Sequence, residues 1–288
     1  MKLLKLAVFM AAVSLVSVVS TPSFSIVIRH DVKDKNYRAT IEDFPPLATL
    51  YAVGAHGTLI APQWVATAAH TIFCIEPGDT IKVGHQWAQV EARYAHHEYE
   101  RGGDNDIALI KLTHPVLSVE PASLYRNQDE SGRAVWFIGV GGTGNGNLGQ
   151  SVSYKENKGV LRKAQNIIEA TDGNEIEFTF DKAPNALPLE GVSGNGDSGG
   201  PAFEMINGRY YLLGISSRAD SWFKKMGEYG VNEVYTRVSY HADWIDNVML
   251  EAPAFIKTYT TQKRFAQSNI VAQLDAVCQK VGFNHEQH

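Results

Sequence analysis

Short, mostly apolar runs of strand-forming residues, a few of them alternating with polar residues, dominate the chain from residue 44 to about residue 247. Such runs are typical of β-strands, and the Gly, Pro, Asn and Asp residues between them favour turns. Many short strands without intervening helices predict an all-β sandwich or barrel. The clearest runs are residues 48–53, 58–60, 80–83, 88–92, 107–112, 134–140, 176–180, 210–216 and 234–238.

Other segments depart from the strand pattern. Residues 118–133 are weakly patterned and rich in turn formers, so we expect them to connect two β subdomains. Residues 239–251 carry apolar side chains at helical spacing behind Ser239, a candidate N-cap. A second helical stripe at 266–281 is assigned to a C-terminal extension, residues 251–288, with a frayed tail as the alternative.

The N-terminus has the pattern of a secretory signal peptide, which we assign to residues 1–25. Two lysines precede an apolar stretch at 6–19, and the small residues Ser23 and Ser25 fit the positions that a signal peptidase recognises. The stretch is short for a membrane span, although an uncleaved anchor is the alternative. Cleavage after Ser25 would leave Ile26 at the start of a soluble domain, residues 26–250, in the periplasm or the extracellular space.

Composition excludes several classes of protein. The chain has 288 residues, of which 44% are hydrophobic and 20% charged, as in an ordinary globular protein. Its 26 basic and 31 acidic residues give a net charge of −5 without a basic block, which argues against nucleic-acid binding. The presence of 2 cysteines excludes a dense disulfide framework, although export permits one bridge.

The candidate chemistry lies in local motifs that follow one another along the chain. His70 ends the apolar run Trp-Val-Ala-Thr-Ala-Ala-His, Asp106 directly precedes the apolar run Ile-Ala-Leu-Ile, and Ser198 lies in the turn Gly-Asn-Gly-Asp-Ser-Gly-Gly-Pro. A serine hydroxyl needs an imidazole to take its proton, and a carboxylate to orient that imidazole. In addition, the backbone N–H groups of Gly196 and Ser198 are candidates for an oxyanion hole.

These motifs resemble those of the chymotrypsin-like, or trypsin-type, serine proteases. The matching segments are Thr-Ala-Ala-His70, Asp106-Ile-Ala-Leu and Gly-Asp-Ser198-Gly-Gly-Pro, in the family's order. The resemblance implies two six-stranded antiparallel β-barrels with a C-terminal helix, and a serine endopeptidase that cleaves polypeptides as a monomer. It implies no cofactor and no metal. The short signal, the small number of cysteines and the lack of a propeptide favour a bacterial source.

The resemblance also implies an activation mechanism. In this family a newly formed Ile-Val terminus pairs with the acid that precedes the catalytic serine, which here corresponds to Ile26 and Asp197. No basic cleavage site precedes Ile26, so we expect removal of the signal peptide itself to create this terminus. Stabilisation of the turn by Asp197 is the alternative.

The positions of the cysteines depart from the family pattern. Ala55 and Thr71 stand where the family's usual pair of cysteines would flank the histidine. Cys74 and Cys278 either form a bridge between the His70 loop and the C-terminal extension, or remain as two buried free thiols.

The primary specificity pocket also departs from the family. We expect Val192, Ser193, Ser217 and Glu233 to line it, with Val192 where trypsin has an aspartate and Arg218 where the substrate-facing strand has a tryptophan. The Glu233 carboxylate would either attract Lys or Arg, or stay partly neutral among apolar walls and accept apolar residues.

Alternative functions and sites are weaker. An inactive pseudoprotease that acts as a binding protein, and an esterase with the same residues, would both fit the motifs. The Gly-Val-Gly-Gly-Thr-Gly run at 139–144 has the spacing of a dinucleotide loop but no helix after it. His96-His97-Glu98 lacks the spaced partners of a zinc site.

Overall fold

The computed structural model describes residues 26–99, 102–220, 223–251 and 278. The expected signal peptide and the predicted helix at 266–281, apart from the helical Cys278, lie outside the described residues. The strands are β1 Ile26–Ile28, β2 Leu47–Leu50, β3 Ala55–Ala61, β4 Trp64–Thr67, β5 Thr80–Val83, β6 Gln86–Ala95, β7 Ala108–Leu112, β8 Ser123–Leu124, β9 Ala134–Gly139, β10 Thr143–Asn145, β11 Gly149–Val152, β12 Arg162–Ile167, β13 Ala170–Asp172, β14 Glu175–Thr179, β15 Gly191–Val192, β16 Pro201–Ile206, β17 Arg209–Asp220 and β18 Asn232–Arg237.

Helices are few among these residues. The α-helices are α1, Tyr154–Asn157, and α2, Val238–Leu250, and short 3-10 segments lie at Asp34–Asn36, Ile41–Asp43 and Ala69–Cys74. No helix in the described part of the chain is long and apolar enough to cross a membrane.

The strands form two β units. β2, β3, β4, β7, β6 and β5 close into a barrel in that order. The second unit is a curled sheet in the order β12-β9-β16-β17-β18-β14-β13, with β8 paired to β17, and a separate small sheet in the order β11-β10-β1-β15 contacts its strand β12. With α2 at its end, this arrangement confirms the all-β chymotrypsin-like fold expected from the motifs; its second half is a half-barrel sheet.

Strand β7 explains how the two units hold together. Its Ala108, Ile110 and Leu112 pack into the core of the closed barrel. The alternate residues Ile107 and Leu109 instead pack with residues of β17 and α2. Because successive side chains of a strand point to opposite faces, the unbroken apolar run gives one strand two buried faces. The residue that precedes this run is therefore held at the boundary between the units.

Several predicted boundaries shift by a few residues. The strand predicted at 48–53 ends at Leu50 because the chain turns there, while β3 and β17 extend beyond their predicted runs. The predicted connector 118–133 lies between β7 and β9 and contains β8. Helix α2 begins at Val238, so Ser239 is not its N-cap.

The hydroxyl of Ser239 contacts a buried ion pair that joins the connector to β18. Glu130 has a fully buried side chain and accepts hydrogen bonds from Arg237 Nε at 2.9 Å and Nη2 at 2.8 Å, and from Ser239 Oγ. Burial raises the pKa of Glu130, but these bonds outweigh it, so the net pKa is lowered. The pair therefore gives the connector a fixed position against the second sheet.

A disulfide joins Cys74 to Cys278, with 5.4 Å between their Cα atoms. Cys278 packs against the core of the closed barrel, so the bridge ties the C-terminal extension to the segment that carries His70. The alternative of two free thiols is thereby excluded. At a sequence separation of 204 residues, loop entropy assigns the bridge a stabilisation of roughly 5 kcal/mol.

Buried His241 of α2 makes the stability of the fold sensitive to acid. The residue is 2% exposed, and its Nε2 has no hydrogen-bond partner among the described residues. Burial lowers the pKa of His241 from 6.5 to about 4. Between these values the unfolded chain binds more protons than the folded one, so stability is lost as the pH falls.

We predict that His241→Leu flattens this dependence. Removing one such histidine should reduce the slope of the free energy of unfolding by up to about 1.4 kcal/mol per pH unit between pH 6.5 and 4. Urea unfolding across this range measures the slope. His114→Leu, at an exposed histidine, is the control; equal slopes in the wild type and His241→Leu would contradict the assignment.

Candidate active site

His70 and Asp106 are brought together by the end of β4 and the start of β7. These strands are neighbours in the barrel, and the 3-10 segment after β4 carries His70. Asp106 Oδ2 lies 2.7 Å from His70 Nδ1, and Oδ1 accepts the backbone N–H of His70 at 2.9 Å. The carboxylate thus selects the tautomer with the proton on Nδ1, which leaves Nε2 as the basic nitrogen.

The second sheet holds Asp106 from the other side. Ser217 Oγ of β17 donates to Asp106 Oδ2 at 2.7 Å, and Thr236 Oγ1 of β18 donates to the Asp106 carbonyl at 2.8 Å. Asp106 is 3% exposed, whereas the His70 side chain is 31% exposed. The acid is therefore fixed in the protein interior while the imidazole remains accessible.

The Ser198 turn is attached to both β units. The Ser198 carbonyl accepts the backbone N–H of His56 at 2.9 Å, and the next N–H, that of Gly199, donates to Ser216 of β17 at 2.8 Å. Gly199 has φ +72°, and a Cβ there would come within 2.2 Å of Thr67 Oγ1. The turn thus packs against the strand that leads to His70.

The described contacts include no hydrogen bond between Ser198 Oγ and His70 Nε2. Catalytic hydrogen bonds of this type are often long until substrate binds. The fold fixes the Asp106–His70 pair and, separately, the turn that carries Ser198.

The backbone around Gly196 is arranged as an anion site. Gly196 has φ +97°, a conformation that favours glycine. Within the described chain, the N–H groups of Gly196 and Ser198 donate to no protein acceptor. Free N–H groups from one tight turn provide the donors that an oxyanion requires.

His56 on β3 holds the carbonyl side of the same peptide segment. Its Nδ1 lies 2.8 Å from the Gly196 carbonyl, and its Nε2 accepts the N–H of Val140 at 3.2 Å. These partners require a neutral ring with the proton on Nδ1. Burial lowers the pKa of His56 to about 4, which keeps the ring neutral at ordinary pH.

Asp197 is a buried carboxylate surrounded by backbone donors. It is 2% exposed, and its oxygens accept the N–H of Gly141 at 2.7 Å and of Gly194 at 2.9 Å. The backbone N–H of Ile26 also hydrogen-bonds this group. Burial raises the pKa of Asp197 to about 7, and the backbone bonds oppose that rise.

The glycines of the 139–144 run provide the space for this carboxylate. A Cβ at Gly139 would lie 2.1 Å from Asp197 Oδ1, and one at Gly141 would lie 2.5 Å from its Cγ. The first two glycines of the GxGxxG spacing thus reflect the close approach of Asp197, whereas a Cβ at Gly144 would meet the backbone of Gly149 at 1.9 Å. This carboxylate occupies the space that the glycines leave.

Strand β1 inserts next to Asp197. Ile26 pairs in parallel with Thr143 of β10, and Val27 pairs with Val192 of β15. Ile26 and Val27 have no exposed surface. The segment predicted to form the activating terminus is thus buried beside its predicted partner.

The residues predicted to line the specificity pocket have different environments. Val192 is fully buried and packs with Val27 and Phe180, while Ser193 Oγ contacts the hydroxyl of Tyr235. Ser217, predicted for the pocket, donates its hydroxyl to Asp106. Glu233 on β18 is 2% exposed, and burial raises its pKa well above the ordinary value.

Arg218, which follows Ser217, forms ion pairs with two acidic residues. Its Nη2 donates to Glu175 Oε2 at 2.9 Å, its Nη1 binds the second oxygen of Glu175, and its Nε donates to Asp220 at 3.3 Å. The hydrogen bonds to Glu175 raise the pKa of the guanidinium further. The charge that replaces the expected tryptophan is therefore neutralised by neighbouring acids.

Sequence reasoning missed His56 and Thr236 as partners of the site. Both lie inside strands, where neither spacing nor composition distinguishes them from core residues. The glycine run offered a further signal for the position of Asp197, since glycines without an adjacent helix point to a close approach.

No group of three or more His, Cys, Asp or Glu side chains in the described part of the chain could hold a metal ion. His96 instead packs against other rings: it stacks on His97 at 4.7 Å and meets His241 edge-on at 5.2 Å, as measured between ring centroids.

Comparison with known protein families agrees with this geometry. The trypsin family model matches residues 34–245, which includes the barrel, the curled sheet and the positions of His70, Asp106 and Ser198. The match covers more than half of the chain and extends into α2. The chain belongs to the trypsin family of serine peptidases.

Proposed function

We propose that the protein is a secreted serine endopeptidase that hydrolyses peptide bonds through an acyl-enzyme on Ser198. The observation that carries the proposal is the pair of hydrogen bonds that the Asp106 carboxylate accepts from His70, beside a glycine turn that β17 anchors. An acid that fixes both the position and the tautomer of an accessible imidazole is the arrangement that activates a serine hydroxyl.

Each residue has a defined step. Ser198 Oγ attacks the carbonyl carbon of the scissile bond while His70 Nε2 takes its proton, and Asp106 stabilises the resulting imidazolium. The N–H groups of Gly196 and Ser198 bind the oxyanion, where each donor is worth roughly 10²–10³-fold in rate. The imidazolium then protonates the leaving amine, and water releases the acyl group by the reverse sequence.

The remaining features of the proposal concern where and on what the enzyme acts. Residues 1–25 would direct export, so the mature domain works in the periplasm or the extracellular space. It acts as a monomer on polypeptide substrates, and the chemistry above uses only side chains and backbone groups of this chain.

We predict that one molecule of a serine-directed fluorophosphonate adds to the purified secreted protein. Intact-mass spectrometry before and after treatment measures the adduct, and Ser198→Ala should show none. The starting mass also shows whether the chain begins at Ile26.

The outcomes separate the alternatives. A chain that begins at Ile26 but forms no adduct would overturn the proposal in favour of an inactive binding protein. An adduct accompanied by ester turnover without peptide turnover would instead indicate an esterase.

His56 acts in this mechanism as a positioning residue through the Gly196 carbonyl. We predict that His56→Ala lowers kcat by roughly 10–100-fold, because it loosens the peptide segment that carries one oxyanion donor. KM should change little, since the donor acts mainly in the transition state. His85→Ala, at a histidine with a 76% exposed side chain, is the matched control. A rise in KM with unchanged kcat would argue against this role.

Activation follows from the surroundings of Ile26. We propose that signal-peptide removal converts the Ile26 amide N–H beside Asp197 into an ammonium group. The positive charge would lower the pKa of Asp197 and give this buried carboxylate, now held by backbone N–H groups, an ion-pair partner. No separate propeptide is then needed to order the Ser198 turn.

This activation is tested with two chains released from a fusion protein, one beginning at Ile26 and the other at Phe24. The longer chain should have kcat/KM lower by roughly 10²–10³-fold, the loss expected for one broken buried ion pair. Asp197→Asn should impair the Ile26 chain by a similar factor and add little to the defect of the Phe24 chain. Equal activity of the two chains would refute the mechanism.

A further inference from the structure

Asn105, the residue before Asp106, has a backbone conformation that few side chains favour. Its φ is +59°, in the left-handed region, which asparagine tolerates better than most residues other than glycine. The Asn105 carbonyl accepts the N–H of Ile107 at 2.8 Å, which closes a three-residue turn with Asp106 at its centre. The direction in which the Asp106 carboxylate leaves the chain therefore depends on the backbone of Asn105.

The chain that leads into Asn105 does little to fix its position. Residues 102–104 make no hydrogen bond among the described contacts, and Asp104 is exposed. The first anchor on this side of Asp106 is the side chain of Asn105, whose Oδ1 accepts a hydrogen bond from Asn174 Nδ2 at 3.1 Å. Asn174 therefore holds the chain at the point where it enters the turn around Asp106.

Asn174 itself has a fixed position in the second β unit, in the hairpin between β13 and β14. Arg237, at the end of β18, donates its backbone N–H to the Asn174 carbonyl at 2.8 Å and its Nη1 to the Gly173 carbonyl at 3.3 Å. The buried carboxylate of Glu130 binds the rest of the Arg237 guanidinium. The donor that reaches Asn105 is thus attached to a part of the second unit that a buried ion pair stabilises.

We propose that Asn174 is a positioning residue of the peptidase and acts on Asp106 through Asn105. The inference rests on the proposed endopeptidase function. Both oxygens of the Asp106 carboxylate bind His70, one at Nδ1 and the other at the backbone N–H, so both bonds require a single orientation of the carboxylate. The imidazole that depends on it must be aligned with the serine hydroxyl when the proton moves, and small displacements slow that step.

Asn174 and Thr236 hold different parts of the same turn. Thr236 Oγ1 binds the carbonyl of Asp106, whereas Asn174 binds the residue before it. With the Asn174 bond removed, Thr236 attaches the turn to the second β unit at one backbone point, about which the turn can rotate. Two attachment points prevent this rotation, so the Asp106 carboxylate keeps its direction towards the first unit.

The test measures how fast a fluorophosphonate adds to Ser198 in the full secreted chain, since this rate requires no known peptide substrate. We expect Asn174→Ala to lower the maximal rate of adduct formation by roughly 3–10-fold, the factor that corresponds to one neutral hydrogen bond. The reagent concentration that gives half of this rate should stay unchanged, because orientation of the imidazole affects the reacting step and not binding. Asp172→Ala, at an exposed residue of the same hairpin, is the matched control and should react like the wild type.

A second background separates a positioning role from a merely structural one. In Asp106→Asn the carboxylate is already lost, so adding Asn174→Ala should slow labelling by less than about twofold. The full loss in that background would overturn the inference, because Asn174 would then act by another route. Unchanged labelling of Asn174→Ala in the native background would overturn it as well.

Two further measurements keep the result interpretable. If urea unfolding shows that Asn174→Ala does not fold, Asn105→Gly replaces it in both backgrounds with the same expectations, since glycine keeps the left-handed conformation without the acceptor. A labelled wild type with equally fast variants overturns the role of Asn174 alone. An unlabelled wild type overturns the proposed function and this inference with it.

Discussion

A carboxylate with almost no solvent contact must be surrounded by donors, and the backbone around Asp197 is arranged to supply them. The N–H groups of Gly141, Gly194 and Ile26 converge on it from three different segments of the chain. Because Ser198 follows directly, the same bonds define the path of the serine turn. The glycine at 139 is required by the position of this one acid, and β1 inserts beside it.

The second constraint comes from β7, whose two faces are both buried. The barrel core takes one face, and β17 with α2 takes the other. Asp106 immediately precedes this strand, so it lies where the two units meet and can receive bonds from His70 on one side and from Ser217 and Thr236 on the other. The acid–imidazole pair is therefore a consequence of how the two β units pack.

The sequence allowed the fold class and the main motifs to be predicted because their signals are local. An alternating run, an apolar run behind Asp106 and a glycine-rich turn around Ser198 each fit within a few residues. His56 could not be predicted in this way, because its contacts with Gly196 and Val140 join residues far apart in the chain. The pairing of Cys74 with Cys278 could not be decided from the sequence for the same reason, since spacing alone does not show that two distant cysteines meet. The prediction of Ser239 as an N-cap was wrong because a serine hydroxyl can also bind a carboxylate, and here it binds that of Glu130.

Asp197 and Glu233, two buried acids of the second β unit, are coupled through their charges. The negative charge of Asp197 is, after burial, the largest contribution that raises the pKa of Glu233. An ammonium group at Ile26 would neutralise much of that charge, because ion pairs between buried groups are weakly screened. The pKa of Glu233 would then be raised less strongly. Formation of the terminus would thus act on the serine turn and, by the same charge, on the ionisation of a second buried acid.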